Sequence, residues 1–333
     1  MSVSISNDNL KDNHPSLIDG GLSNVLESQG CDLKHKLWTA NLLEKNPEAI
    51  IRAHLDYINA GAQCITTSSY QASIPGLIAI GYKRSSAEKL ILKSIQLAEI
   101  AIKTALDSGV IDNKPLIAAS VGPYGAYLAD GSEYRGNYAI SDKILKDFHL
   151  ERLRILDRSN TDILACETIP SFQEAGILSE ILLNVDKPAW ISFSCKDGKH
   201  LNDGSKINEC VAIFKNHPKV FAVGVNCTNP KYISDLIPYI KASCGDNQVI
   251  VYPNSGEVYN AQSKTWMGLS DPKYFVEMSK EWINLGADII GGCCRIGPDH
   301  IRRIKRHIST IRTTFSEQHH YSTTNTFSAV PSS

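Results

Sequence analysis

The sequence predicts an α/β protein built as a single-domain, closed (β/α)₈ barrel, also called a TIM barrel. Eight short runs are apolar throughout rather than at alternate positions, which is typical of parallel strands covered on both faces. Segments with helical periodicity separate these runs, and 333 residues that are 42% hydrophobic suffice for one barrel with a large core. The predicted strands, in chain order, are Leu17–Asp19, Ala62–Ser68, Leu116–Val121, Asp162–Glu167, Ala189–Ser194, Val220–Asn226, Val249–Asn254 and Ala287–Gly292.

The helical segments between these strands carry recognisable boundary signals. Asn46 followed by Pro47 predicts a capped first helical turn, and Gly61 predicts the end of that helix. Ser85 and Glu88 have the spacing of a capping box, which predicts Ser85 as the cap of a second, longer helix.

Charge and composition exclude several classes of protein. Lysine and arginine total 34 against 35 aspartate and glutamate, so a net charge of −1 offers no basic surface for nucleic acid. No run approaches the ~20 apolar residues that cross a bilayer, and the polar first residues lack the apolar stretch of a signal peptide. Nine cysteines without a secretion signal indicate reduced thiols, and we therefore expect a cytoplasmic protein that binds no membrane.

The chain is expected to form one folded domain with two short ends. Residues 1–14 are predicted to be a flexible N-terminus, and residues 15–308 to be the barrel. Residues 309–333 are rich in serine and threonine without sustained periodicity, which predicts a polar, flexible C-terminal tail.

Carboxylate and thiol side chains gather at the carboxyl ends of the predicted strands. In a barrel of this kind the functional residues lie at these ends, where the loops after the strands converge. Asp19, Glu167 and Cys227 end or directly follow a strand, and Cys293 and Cys294 follow the last one. Apolar strands do not require such residues at their ends, so the clustering predicts the active site.

Cys227, Cys293 and Cys294 are predicted to bind one metal ion. Successive side chains of a regular strand point to opposite faces, so ideal β geometry does not turn Cys293 and Cys294 to one ion. Gly291 and Gly292 precede the pair, and their freedom in φ permits the irregular backbone that is needed. Three thiolates with an open fourth position are typical of a catalytic zinc site, and sulfur ligands favour Zn²⁺ over Mg²⁺ or Ca²⁺. The alternatives are a vicinal disulfide within the pair, or buried thiols without a ligand.

Asp19 and Glu167 are predicted to face the same cavity. Two carboxylates there can hold the cation of an α-amino group by charge-assisted hydrogen bonds. Alternatively, Asp19 shapes the turn before Gly20 and Gly21, and Glu167 forms an ion pair at the barrel rim.

The segment of residues 122–136 follows the third predicted strand and mixes glycine, tyrosine and charged residues. Long loops at this end of a barrel act as lids or contribute a second substrate site, and a purely structural Ω-loop is the alternative.

Six motifs follow one another along the chain: Asp19-Gly20-Gly21, Gly122-Pro123-Tyr124-Gly125-Ala126-Tyr127, Ala165-Cys166-Glu167-Thr168, Gly224-Val225-Asn226-Cys227, Tyr252-Pro253-Asn254-Ser255-Gly256-Glu257 and Gly291-Gly292-Cys293-Cys294-Arg295. Together they resemble those of the homocysteine S-methyltransferase family. The match runs from about residue 15 to residue 308. The stretch of residues 128–136 is most similar to the branch of the family that uses S-methylmethionine.

The resemblance implies an enzyme that moves a methyl group from S-methylmethionine, or from S-adenosylmethionine, to zinc-bound homocysteine thiolate and produces methionine. The donor sulfonium is a cation, which aromatic faces stabilise; the candidates for this are Tyr124, Tyr127, Tyr134 and Trp266. The site residues that the resemblance implies are Cys227, Cys293 and Cys294 as ligands of Zn²⁺, Asp19 and Glu167 at the homocysteine amino group, and Gly20 and Thr67 near its carboxylate.

The same resemblance bears on assembly and on the competing functions. Longer relatives that use betaine carry a C-terminal extension involved in tetramer formation, and the short polar segment after residue 308 predicts a monomer or homodimer instead. A non-catalytic, redox-sensing zinc protein on the same barrel is the alternative from another class. A zinc hydrolase is disfavoured because the sequence contains no His-x-His or His-Glu-x-x-His pattern.

Overall fold

The computed structural model describes residues 14–35, 37–260, 265–267 and 270–308. All but the last residue of the predicted flexible N-terminus, residues 1–14, and the whole predicted tail, residues 309–333, lie outside this part of the chain. Across the described residues, no helix is long and apolar enough to cross a membrane.

Seven parallel strands form one sheet in sequential order, and a separate antiparallel hairpin follows the sixth of them. The sheet contains β1–β6 and β9, and the hairpin contains β7 and β8. The strands are β1 (Cys64–Thr66), β2 (Leu116–Val121), β3 (Ile163–Ile169), β4 (Ala189–Phe193), β5 (Val220–Asn226), β6 (Gln248–Tyr252), β7 (Val258–Asn260), β8 (Thr265–Met267) and β9 (Ile289–Ile290).

Residues at the start of the barrel close this sheet into a ring. Ile18 pairs with Cys64 on β1, and Leu17 pairs with Ile290 on β9, both in parallel bridges. The Ile18 N–H donates to Ile290 O at 2.8 Å, and the Asp19 N–H donates to Cys64 O at 3.1 Å. The predicted barrel is therefore confirmed, although the first predicted strand contributes two bridges rather than a full strand.

Strand lengths differ from prediction mainly where the site forms. The strands β2 and β5 have the predicted bounds, whereas β9 covers two residues of the predicted six. After Ile290 the backbone stays hydrogen-bonded to both neighbouring segments, since the Gly291 N–H donates to Val251 O and the Gly292 N–H donates to Asp19 O, each at 3.0 Å. The hairpin β7–β8 was not predicted, and the side chain of Trp266 on β8 lies outside the described residues.

Helices alternate with the strands and cover the outside of the barrel. Asn46 accepts a hydrogen bond from the Ala49 N–H at 3.3 Å, and Gly61 (φ +100°) follows the last turn, so both predicted ends of that helix are confirmed. The prediction that Ser85 is a cap is wrong: the helix already begins at Arg84, which places Ser85 inside its first turn. The α-helices are α1 (Leu22–Ser28), α2 (Leu42–Lys45), α3 (Pro47–Ala60), α4 (Ile74–Ala79), α5 (Arg84–Asp107), α6 (Tyr124–Leu128), α7 (Asp142–Asp157), α8 (Phe172–Leu182), α9 (Ile207–Ala212), α10 (Ile233–Ser243), α11 (Pro272–Asn284) and α12 (residues 298–308).

Two apolar clusters make up the core. The larger one fills the space between the strands and the helices around them. The smaller one, here called the apolar floor, fills the barrel interior with side chains that are almost without exposure to solvent. The apolar floor includes Ile18, Cys64, Ala118, Ile163, Ala165, Trp190, Phe221, Ala222, Ile250 and Ile289.

Candidate active site

A connected set of polar strand residues, here called the polar layer, lies at the carboxyl end of the barrel. Ser120 Oγ donates a hydrogen bond to Glu167 Oε1, and the Tyr252 hydroxyl donates to the same carboxylate. Ser192 Oγ lies 2.5 Å from the Tyr252 hydroxyl and donates to Asn226 Oδ1 at 2.9 Å. The polar layer consists of these five residues, Ser120, Glu167, Ser192, Asn226 and Tyr252, together with Thr66, whose hydroxyl bonds to Asp19 at the same end of the barrel.

Glu167 is held by hydroxyl groups and is only 8% exposed. Burial raises the pKa of its carboxyl from 4.5 to about 7, against the opposing effect of the hydrogen bonds from Ser120 and Tyr252. In the described part of the chain no cation pairs with this carboxylate, so the alternative of a rim ion pair does not hold. The carboxylate lines the cavity instead.

Asp19 is the second carboxylate of this cavity, and it is 1% exposed. The Thr66 N–H donates to its Oδ2 at 2.8 Å, and the Thr66 hydroxyl donates to its Oδ1 at 2.9 Å. Burial raises the pKa of Asp19 from 3.8 to about 8, in opposition to these hydrogen bonds. Asp19 does not cap the following helix, since the capping residue of α1 is Gly21 and no side chain caps it.

The three predicted thiols converge. The Sγ atoms of Cys227, Cys293 and Cys294 all lie within 4.8 Å of one another, and those of Cys227 and Cys294 are 4.0 Å apart. All three cysteines are free, so the alternative of a vicinal disulfide does not hold. Hydrogen bonds from Cys227 and Cys293 hold the pKa of the Cys294 thiol well below its usual range.

The cysteine pair turns inward because it lies in a tight turn beyond β9, not in a strand. The Cys293 N–H donates to Pro253 O at 2.9 Å, and the Cys294 carbonyl accepts from the Ser255 N–H at 3.1 Å. Gly291 and Gly292 are required for close packing, and neither has a positive φ. A Cβ on Gly291 or Gly292 would lie 2.2 Å or 2.1 Å from an isoleucine side chain.

This donor set fits a metal ion. Tetrahedral Zn²⁺ with Zn–S bonds of ~2.3 Å spaces its sulfurs by roughly 3.8 Å, which is close to the Cys227–Cys294 separation of 4.0 Å. Three soft thiol donors from two segments meet beside a cavity, which leaves one side of the cluster open to a ligand.

Asn226 connects the thiol cluster to Glu167. Its Oδ1 accepts from the Thr168 N–H at 2.7 Å, and its Nδ2 donates to Thr168 Oγ1 at 2.8 Å. Thr168 follows Glu167, and Cys227 follows Asn226. Thr168 and Cys227 both have positive φ, +62° and +47°, a conformation that costs free energy for non-glycine residues. Asn226 thus fixes two strained strand ends that present a carboxylate and a thiol.

Thr67 and Gly20 also line the cavity. The Thr67 hydroxyl accepts from the Ser120 N–H at 3.1 Å and lies 2.7 Å from Ser69 Oγ. A Cβ on Gly20 would lie 2.3 Å from Ile296 O, so this position requires glycine for packing.

The segment of residues 122–136 covers one side of this cavity of about 500 Å³. Its Gly131, Glu133 and Tyr134 line the cavity, and the Tyr134 hydroxyl lies 3.7 Å from Cys227 Sγ. Tyr124 and Tyr127 instead pack against Phe148, with ring centroids 5.0 and 5.4 Å apart from it. Of the predicted aromatic residues whose side chains are described, the structure therefore brings Tyr134 to the site.

Several polar residues of the cavity were not predicted from the sequence, among them Tyr70, Ser120, Glu133 and Tyr252. A signal for two of them exists, because inward-facing side chains recur every second residue along a strand. Ser120 follows Ala118 by two residues, and Tyr252 follows Ile250 by two, with both earlier residues in the apolar floor. Tyr70 and Glu133 lie in loops, where no such periodicity applies.

The fold and the site together define an α/β-barrel enzyme with a thiol-rich centre of the kind that holds a metal ion. The chain belongs to the homocysteine S-methyltransferase family, whose sequence profile matches residues 16–308.

Named relatives and a solved structure agree with this assignment. The chain is 42% identical to homocysteine S-methyltransferase YbgG of Bacillus subtilis (strain 168), over 91% of this chain and 98% of the relative. It is 43% identical to a selenocysteine Se-methyltransferase of Brassica oleracea var. italica, over 90% and 91% of the two chains. The crystal structure of the homocysteine methyltransferase MmuM from Escherichia coli in its metallated form superimposes with a TM-score of 0.79 at 39% identity, over 87% of this chain and 95% of that one.

Proposed function

We propose that this chain transfers a methyl group from S-methylmethionine, or from S-adenosylmethionine, to the thiol of homocysteine and so produces methionine. The barrel of residues 15–308 is the homocysteine-binding domain in this proposal. The single observation that carries it is the convergence of three thiols beside two buried carboxylates in one cavity. The family and the names of its members supply the substrate.

Cys227, Cys293 and Cys294 would hold Zn²⁺, and the spacing and softness of their sulfurs support that ion. Zn²⁺ bound by three thiolates lowers the pKa of a thiol at its open position, so that the thiol, whose ordinary pKa is ~8.5, is ionised at neutral pH. The metallated form in which the relative MmuM was crystallised is consistent with such a site.

Asp19 and Glu167 would bind the ammonium group of homocysteine. Both carboxyls are buried, and burial raises the pKa of each. A cationic ligand restores their ionised forms and forms charge-assisted hydrogen bonds with them. Thr67 and the backbone at Gly20 line the same cavity and would lie near the homocysteine carboxylate.

With the acceptor oriented in this way, its thiolate sulfur attacks the methyl carbon of the sulfonium donor in line. The bond between that carbon and the donor sulfur breaks, and its electron pair stays on the donor sulfur. S-Methylmethionine then itself becomes methionine, so two methionines form per turnover. No proton is removed from carbon, and the residues contribute mainly by positioning the two sulfurs.

The test is a methyl-transfer assay with zinc-loaded protein, homocysteine and either donor, with Cys294→Ala as the control. The expected result is methionine formed by the wild type, with activity and bound zinc both lost in the variant. The two donor rates then identify the donor. Zinc bound at one ion per chain with no methionine from either donor would refute the proposed reaction and favour a non-catalytic zinc protein.

The acceptor is tested in the same assay. The selenocysteine Se-methyltransferase relative makes selenocysteine the second acceptor to try. Methylation of selenocysteine at a higher kcat/KM than homocysteine would replace homocysteine as the assigned acceptor.

A further inference from the structure

Glu133 is a third carboxylate of the cavity, beside Asp19 and Glu167. It lies in the short 3₁₀ turn Ser132–Tyr134, and its side chain lines the cavity. Its Oε2 atom is buried and accepts no hydrogen bond from any described residue. Burial raises the pKa of this carboxyl. A carboxylate withdrawn from water without a donor is costly, unless a ligand supplies the missing charge.

The nearest arginine in sequence favours the ionised form of Glu133 by its charge, but it donates its hydrogen bonds to other residues. Arg135 Nη2 donates to Ser132 Oγ at 2.9 Å and lies 3.4 Å from Asp130 Oδ2. The arginine therefore stabilises the loop next to Glu133.

The backbone around Glu133 is held firmly in place. The Glu133 carbonyl accepts from Asn202 Nδ2 at 3.3 Å, and a Cβ on Gly125 would lie 2.3 Å from the Glu133 nitrogen. Glu174 anchors the start of the same segment, because its Oε1 accepts from the Tyr124 N–H at 2.6 Å and its Oε2 accepts from the Tyr138 hydroxyl at 3.0 Å. A fixed loop that presents a buried, unpaired carboxylate to a cavity is a preorganised cation site.

The charges of the two proposed substrates indicate which cation would bind to Glu133. Homocysteine brings one ammonium group, and the proposed function assigns that group to Asp19 and Glu167. The donor brings a sulfonium and a second ammonium group. Glu133 belongs to the loop segment of the cavity lining, beside Tyr134, whose hydroxyl is 3.7 Å from Cys227 Sγ, whereas Asp19 and Glu167 belong to the strand ends.

We infer that Glu133 binds the ammonium group of the amino-acid sulfonium donor, and so makes the segment of residues 122–136 the donor site of the barrel. This inference rests on the proposed function for the identity of the donor. It assigns the two amino-acid ends to different carboxylates: Asp19 and Glu167 bind the acceptor, and Glu133 binds the donor.

The experiment compares Glu133→Gln with the wild type for two donors, S-methylmethionine and (3-carboxypropyl)dimethylsulfonium, which lacks the amino group but keeps the sulfonium. We expect the substitution to raise the KM for S-methylmethionine at least about tenfold, since a hydrogen bond to a charged group is lost. The KM for the deaminated donor should change less than twofold, and so should the KM for homocysteine.

Calorimetric titration of S-methylmethionine without acceptor adds a readout that needs no turnover. The Kd should weaken about tenfold in Glu133→Gln and remain unchanged in Glu167→Gln, which would show that the donor does not simply occupy the acceptor site. Glu180→Gln is the matched control, because Glu180 is an exposed carboxylate outside the cavity and the substitution removes the same charge. It should leave both donor constants unchanged.

Three results would overturn the inference: an unchanged donor KM in Glu133→Gln, an equal loss with both donors, or a loss confined to homocysteine. Failure of the proposed function is recognised separately. Wild-type protein that binds S-methylmethionine through Glu133 but forms no methionine would refute the reaction and support the binding site.

Discussion

The apolar floor and the polar layer of the barrel are built from the same strands, two residues apart. Ala165 in the floor is followed by Glu167 on β3, and Trp190 is followed by Ser192 on β4. In the floor, the Trp190 Nε1 donates a hydrogen bond to the Tyr252 hydroxyl at 3.0 Å and so connects the indole to the layer above. The residues of the polar layer instead hydrogen-bond one another and the ends of neighbouring strands.

Along the barrel axis, the residues that stabilise the fold and the residues that line the cavity therefore form two successive layers. The floor keeps water out of the barrel interior beneath the cavity. Its contribution to the free energy of folding depends on how completely its side chains fill that interior. The low-dielectric surroundings that it creates raise the pKa values of Asp19 and Glu167 above it. Substitutions in the floor should therefore change the free energy of unfolding, and substitutions in the polar layer should change substrate constants.

The largest effect is expected in the floor. Trp190→Ala should lower the free energy of unfolding by about 3–5 kcal/mol, because the indole is fully buried and packs edge-on against Phe221 and Tyr252. Denaturant unfolding of the zinc-loaded protein measures this loss, and Trp190→Phe should lose less. A variant of normal stability with a raised homocysteine KM would show that the floor is part of the site.

The second effect lies in the polar layer. Glu167→Gln keeps the size of the side chain but removes its charge, so the homocysteine KM should rise about ten- to a hundredfold, as expected for a hydrogen bond between charged groups. The free energy of unfolding should change by less than about 1 kcal/mol. Glu180→Gln, at an exposed carboxylate on α8 paired with Lys146, is the control and should leave both quantities unchanged. An unaltered homocysteine KM in Glu167→Gln would remove this residue from the acceptor site.

The pH dependence of acceptor binding should be smaller. Burial raises the pKa of Glu167 to about 7 and that of Asp19 to about 8, so both carboxyls become ionised as the pH rises through this range. Between pH 6 and 8 the ionised fraction of Glu167 grows from about one tenth to nine tenths, and this residue alone should lower the homocysteine KM roughly tenfold.

Ionisation of the homocysteine thiol changes the KM in the same direction as these carboxyls. The same pH series in Glu167→Gln retains the contributions of the thiol and of Asp19 and lacks that of Glu167, so its slope should be shallower than that of the wild type. Identical slopes in the two proteins would exclude Glu167 as the titrating group.

The smallest effect concerns the support of Asp19. Thr66→Val removes the hydroxyl that donates to the Asp19 carboxylate and keeps the backbone N–H that donates at 2.8 Å. The homocysteine KM should rise about two- to fivefold, as expected for the loss of one neutral donor. Steady-state rates measure it, and Thr66→Ser should restore the wild-type value. Equal constants in all three proteins would mean that the backbone donor alone positions Asp19.

The fold was predictable because it depends on local pattern. Continuous apolar runs between helical segments define parallel strands covered on both faces, and β2 and β5 match their predicted bounds. The approximate place of Asp19, Glu167 and the three cysteines followed from one topological rule, that loops converge at the carboxyl ends of parallel strands. The bounds of β9 were less predictable, because the backbone after Ile290 is held by hydrogen bonds to Val251 and Asp19, which lie far away in the sequence.

The sequence by itself determined the barrel, the family and the set of groups at the strand ends, because each follows from residues close together in the chain. Only the tertiary structure decided which of these groups meet. The Sγ atoms of Cys227 and Cys294 lie 4.0 Å apart although the two residues are 67 positions apart in the sequence. The buried Oε2 atom of Glu133 has no hydrogen-bond partner among the described residues. Distances across a barrel and the absence of a partner depend on how all strands and loops pack together, and no local pattern encodes either of them.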